Sequence, residues 1–113
     1  MPGFIGRVAR VNLSKGKVKE ETVESEIFRK YLGGRGLAGK ILLEELDLTV
    51  DPLEPGNKLL FLTGPLTGTA FPGGGKHQVL AKSPLTGIWG ESTSGGFWGP
   101  ELKFAGYDGL IIE

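Results

Sequence analysis

The stretch "KLLFLTGPLTG", residues 58–68, decides how the rest of the chain folds. Lys58 to Thr63 is a short continuous apolar run ending in turn residues, the pattern of a buried strand. Pro65 presets φ and Gly68 permits positive φ, so 64–68 reads as a compact turn. The same turn recurs as "SPLTG" at 83–87, again after a strand candidate, Gln78–Lys82. Two such turns could lie side by side at one edge of a sheet, or could reflect only a shared turn preference.

Moving outward, Gly6–Leu13 alternates as a strand, with Ala9, Val11 and Leu13 on one face and Arg10 and Asn12 on the other. A turn at Ser14–Gly16 leads to a charged second strand, Lys17–Val23, which suits an exposed hairpin edge. Ser25 offers a helix N-cap, Ile27, Phe28, Tyr31 and Leu32 form a helical stripe, and Gly33 is a natural C-cap. Leu37, Ala38, Ile41, Leu42 and Leu46 form a second stripe, so another helix is expected over Gly36–Leu46. Residues 47–57 read as a loop. Ile88–Glu91 is a further strand candidate, and Phe97–Ala105 reads as a short helix closed by Gly106. Leu110–Glu113 is a last apolar strand. It carries no polar tail, which predicts that 1–113 is part of a longer domain, without an internal boundary.

Charge and composition exclude several roles. Lys plus Arg equals Asp plus Glu, 13 each, so no global field attracts nucleic acid or acidic lipid. No apolar run approaches the ~18 residues of a spanning helix. Cysteine is absent, which removes disulfides and iron–sulfur ligation from these residues and fits a cytoplasmic protein. His77 is the only histidine, so no transition-metal site is expected from this chain alone. It reads as a half-exposed strand residue. Glycine is the outlier, 20 residues where average usage gives about 8.

The glycines fall into three motifs. Gly34–Gly39 fits the dinucleotide pattern GxGxxG, but a helix precedes it where the fingerprint needs a strand. It reads instead as a corner between two helices. "AFPGGGKH", 70–77, resembles a phosphate loop yet lacks its first glycine and its Ser/Thr after the lysine. It still offers bare backbone beside a cation. "STSGG", 92–96, leads towards the short helix, whose first amides lack partners. There Ser94 could cap the helix, or the tract could hold an anion, which alone would suit a phosphate-binding regulatory domain. Trp89, Phe97 and Trp98 cluster around this tract in sequence, as core residues or as walls of a flat ligand site.

Five segments, taken together, resemble the N-terminal domain of the tungsten-containing aldehyde:ferredoxin oxidoreductases. They are "GRVARVNLSKGKV" (6–18), "YLGGRGLA" (31–38), "GNKLLFLTGPLTGT" (56–69), "GGGKHQVLAKSPLTG" (73–87) and "SGGFWGPELKFAGYDGLIIE" (94–113), in the family's order. The resemblance implies an α+β fold, a mixed or antiparallel sheet with a few short helices, forming the first half of the family's pterin-binding domain. It implies a bis-pterin tungsten (tungstopterin) or molybdenum cofactor, magnesium between the pterin phosphates, and an iron–sulfur cluster held by later domains. The implied reaction is oxidation of aldehydes to carboxylic acids with ferredoxin as acceptor. Lys76 falls where the family usually has an arginine touching a pterin. Thr93 falls where an asparagine commonly gives its backbone oxygen to magnesium, and Gly95 matches a glycine contacting the pterin. No catalytic residue is expected here, and 113 residues alone should be inactive. The expected partner is the remainder of the chain or a companion subunit. The rival reading is a non-catalytic scaffold that forms a homo-oligomer, or pairs with another subunit, through the exposed "LIIE" strand.

Overall fold

The computed structural model describes residues 3–113. Six strands form one mixed sheet: β1 (Arg7–Asn12), β2 (Lys17–Thr22), β3 (Leu59–Thr63), β4 (His77–Lys82), β5 (Trp89–Ser94) and β6 (Gly109–Ile112). Their spatial order is β2-β1-β6-β3-β4-β5. β6 runs parallel to β1 and antiparallel to β3, and every other pair is antiparallel. Three helices complete the α+β fold: α1 (Ser25–Tyr31), α2 (Gly34–Glu45) and α3 (Trp98–Phe104).

The core lies between α1, α2 and one sheet face. Phe28, Leu37, Ala38 and Leu42 from the helices meet Val8, Leu60, Leu62, Leu80 and Ile111 from the strands. Leu60 and Leu62 are fully buried, as the apolar run predicts. On β1 Val8 joins the core under the helices, Ala9 is also buried, on the opposite face, and Leu13 is exposed. Arg10 shares Val8's face. It pairs with Glu21 and Glu45 at 2.7 Å and Glu113 at 2.8 Å, and Lys58 reaches Glu113 at 3.2 Å. Hydrogen bonding to Arg10 holds the Glu21 and Glu113 carboxyls below the ordinary carboxylate range. These pairs tie the hairpin, α2 and the last strand together.

Away from the cleft, the structure departs from the sequence reading at four places. Ser25 is not a cap: Glu24 precedes α1 and makes no side-chain cap bond. Leu32, not Gly33, takes the left-handed position that ends α1, with φ 63°. The two repeated turns both place glycine at positive φ, Gly68 at 80° and Gly87 at 72°. They sit at opposite ends of the sheet, because β3 and β4 are antiparallel and each turn follows its own strand. Finally, the "LIIE" strand is central, paired on both sides. It offers no free edge, so the observation behind the scaffold reading is gone.

Leu32 gives a stability prediction. A left-handed non-glycine residue costs ~1 kcal/mol, and this side chain is exposed. Leu32→Gly should raise the free energy of unfolding by up to about 1 kcal/mol, read as a higher urea midpoint.

Candidate functional site

The polar tract 92–94 does not lead into a helix; it is the second half of β5, with Thr93 opposite Gln78 and Ser94 opposite His77. Ser94 makes no cap, and α3 begins at Trp98 after an uncapped Phe97. At only seven residues, α3 offers no anion site of its own. What the pairing does achieve is convergence. It carries the end of β5 alongside the 70–76 loop, so that a Cβ on Gly75 would stand 2.8 Å from Gly96 O.

Between these segments and the helices lies an open cleft of about 410 Å³. One wall is the α1–α2 corner, Leu32 to Arg35; another is the turn at 64–67. Gly73, Gly74 and Lys76 come from the loop, and Gln78 and Thr93 from neighbouring strands. Lys76 and Thr93 thus face one space, as the two glycine-rich segments suggested. Gly95 does not line the cleft. It lies two residues beyond Thr93, and a Cβ there would meet nothing within 4 Å.

Thr93 is placed so that its backbone is free. Ser83 N donates to Ile88 O at 2.8 Å, and the register runs unbroken from there to His77 and Ser94. Bonded and non-bonded pairs alternate along an antiparallel ladder. Counting from Ser83 and Ile88, the Gln78–Thr93 pair is a non-bonded one. Because β5 is an edge strand, the Thr93 amide and carbonyl point away from the sheet. A main-chain oxygen so turned can ligate a cation whatever its side chain.

The electrostatics favour an anion. Lys76 and Arg35 line the cleft and no carboxylate does. Among the described residues, two buried side-chain atoms lack any hydrogen-bond partner, His77 Nδ1 and Gln78 Oε1. Both residues line this cleft. Buried polar atoms are ordinarily paired, but consecutive strand residues face opposite sides of a sheet. The Gln78 amide points towards Gly34 and the cleft, whereas the His77 ring lies on the other face against Trp98, so only the Gln78 oxygen awaits a donor here. His77 is more buried than its sequence context suggested, only 7% exposed. Burial pushes its pKa below the usual histidine value, and its ring packs 4.6 Å from Trp98. The three aromatic residues separate: Trp98 packs on Phe61, Trp89 lies near Gly39 of α2, and Phe97 is exposed. No group of three His, Cys, Asp or Glu side chains among the described residues could hold a metal ion. A main-chain oxygen such as that of Thr93 is available to a cation here.

Sequence reasoning missed Gly33, Gly34 and Arg35. The motif was correctly taken as a helix corner, since α1 precedes it. The corner also forms a cleft wall, which only tertiary packing reveals. The consecutive positive φ values of Leu32, Gly33 and Gly34 (63°, 85° and 51°) turn the backbone towards that wall.

Comparison with known proteins agrees with this geometry. Residues 8–113 match the family model for the aldehyde ferredoxin oxidoreductase N-terminal domain. Over 113 residues the chain is 55% identical to the tungsten-containing aldehyde ferredoxin oxidoreductase of Pyrococcus furiosus and 53% identical to that of Pyrococcus horikoshii. It is 44% identical over 117 residues to the WOR-like subunit of an aliphatic sulfonate oxidoreductase from Pyrococcus furiosus. Each alignment covers the whole of this chain, but the chain spans only 18–19% of the relatives' length. The active-site complex BamBC of benzoyl coenzyme A reductase superposes with a TM-score of 0.95 at 39% identity, over 98% of this chain and 17% of that one. No helix among the described residues is long and apolar enough to cross a membrane. The chain belongs to the aldehyde ferredoxin oxidoreductase family and forms part of its N-terminal domain.

Proposed function

We propose that the cleft holds the phosphate-bearing side of a tungsten pterin cofactor, within a cytoplasmic enzyme that oxidises aldehydes to carboxylic acids and passes the electrons to ferredoxin. The carrying observation is that the 73–76 loop and Thr93 of β5 meet at one cleft lined by two cations and no carboxylate. Lys76 supplies charge to a phosphate. Thr93 offers its outward carbonyl to magnesium, and Gly95 leaves open backbone for the pterin. The bound metal would supply the two-electron oxidation; these residues bind and orient. Residues 1–113 act as the first part of the cofactor-binding domain, completed by later chain or a companion subunit, where the iron–sulfur ligands must also lie because no cysteine occurs here.

The test uses the complete protein carrying Lys76→Met. A charge-assisted contact is worth about 1.5–3 kcal/mol, so pterin and tungsten per polypeptide after gel filtration should fall roughly tenfold or more. Lys76→Arg should retain the cofactor, because arginine keeps the charge and adds a planar fork. Full loading of the methionine variant would remove Lys76 from the site.

A further inference from the structure

We propose that Arg35, at the start of α2, is a second anion-binding residue of this cleft, gripping a phosphate of the cofactor from the wall opposite the 73–76 loop. The inference rests on the reading that the cleft holds a phosphorylated pterin. Arg35 lines the cleft. One nitrogen, Nη2, is held by Glu91 Oε1 at 3.1 Å across the cleft rim. A guanidinium has five donors, and among the described residues no other acceptor engages this one. Glu91 therefore orients the group and leaves most of its donors available.

The backbone beneath it is suited to the same ligand. α2 runs twelve residues from Gly34 and has neither a side-chain cap nor an acid in its first turn. Its first helical bond at this end runs from Leu37 N to Gly33 O, 3.2 Å. The amides of Gly34, Arg35 and Gly36 are thus left without backbone acceptors, at the positive end of the helix dipole. An uncapped helix start alone would not define a site. Here the adjoining cleft also holds the unengaged donors of Arg35 and the ammonium of Lys76, with no carboxylate in its lining. Gln78 Oε1 lies 3.3 Å from where a Gly34 Cβ would stand, so glycine at 34 keeps the cleft open beside the helix start. Arg35 on α2 and Lys76 on the loop place a cation on each of two walls. A phosphate monoester between them would be held from two sides, whereas an apolar or cationic ligand would gain nothing from either.

The experiment compares Arg35→Met, Arg35→Lys, Glu91→Gln and Lys76→Met in the complete protein, reading pterin and tungsten per polypeptide, with circular dichroism as the control for folding. Arg35→Met should lower retained cofactor roughly tenfold while leaving the fold intact, and Arg35→Lys should restore part of the loss. Glu91→Gln breaks the same ion pair but keeps the guanidinium, so it should retain more than half of the cofactor. If Glu91→Gln loses as much as Arg35→Met, Arg35 serves only to tie α2 to β5, and the proposal is overturned. Full retention by Arg35→Met alongside loss by Lys76→Met would sink the Arg35 proposal alone. Retention by both would overturn the cofactor reading of the cleft as well. Should Arg35→Met unfold, Arg35→Lys decides by itself: retention equal to the parent in a folded protein would show that no fork-shaped contact exists.

Discussion

Asp108→Ala should be a strongly destabilising side-chain truncation in this domain, lowering its stability by about 3–5 kcal/mol. The carboxylate is 1% exposed. Its oxygens accept from the amides of Ile5, Gly6 and Arg7 at 3.0, 2.7 and 3.3 Å, and from Lys103 Nζ at 2.8 Å. One side chain thereby fastens the start of β1, the end of α3 and the start of β6. Lys103 is itself 8% exposed and also donates to Gly3 O at 2.7 Å. Truncating Asp108 leaves a buried ammonium without its counter-charge and three amides without an acceptor. That combination explains why the loss should far exceed that of a surface ion pair, for which the median is near 0–1 kcal/mol. Asp108→Asn should cost less, because one carbonyl oxygen remains. Urea unfolding followed by circular dichroism would rank the three proteins; a midpoint for Asp108→Ala equal to the parent would refute the account.

Asp108 also shows where sequence reading stops. In "FAGYDG" it is one turn residue among several, and nothing local distinguishes an aspartate that turns the chain from one that anchors strands a hundred residues away. The elements built on periodicity were legible. The stripes of Phe28 and of Leu37–Leu42, and Leu60 and Leu62 in the apolar run, each state their own burial. β5 was only half legible. Its edge position leaves Glu91 to Ser94 exposed, so selection for alternating apolar residues is absent and the tract looks like a loop. Only pairing with β4 makes it a strand. β6 was seen as a strand, but its place between β1 and β3 depends on a parallel pairing that no local pattern encodes.

The site was legible in the same partial way. Bare backbone beside Lys76 and around Thr93 was visible as composition, and both positions reach one cleft. Arg35 was not, because its motif resembled a different binding loop and its contribution comes from the corner between two helices. The intervening fold, not spacing, brings it near Thr93's strand through Glu91.

Gly95→Val should separate cofactor binding from folding most sharply. The glycines of this chain fall into two physical kinds. At Gly109 a Cβ would stand 2.1 Å from Leu62 Cδ2 and 2.8 Å from Phe61 O, and at Gly36 it would stand 2.3 Å from Tyr31 O. Side chains there collide with the protein itself, so such variants would fail to fold and say nothing about ligands. At Gly95 a Cβ meets nothing within 4 Å, and its φ does not require glycine. A valine should therefore change stability by no more than about 0.5 kcal/mol. Its bulk would fill the space in which the pterin is proposed to approach the backbone beside Thr93. The expected result is a complete protein with a parental melting temperature and less than a tenth of the parental tungsten and pterin. Loading at the parental level in that folded variant would mean that no ligand lies against Gly95, and the cofactor would then have to enter from the Lys76 side of the cleft alone.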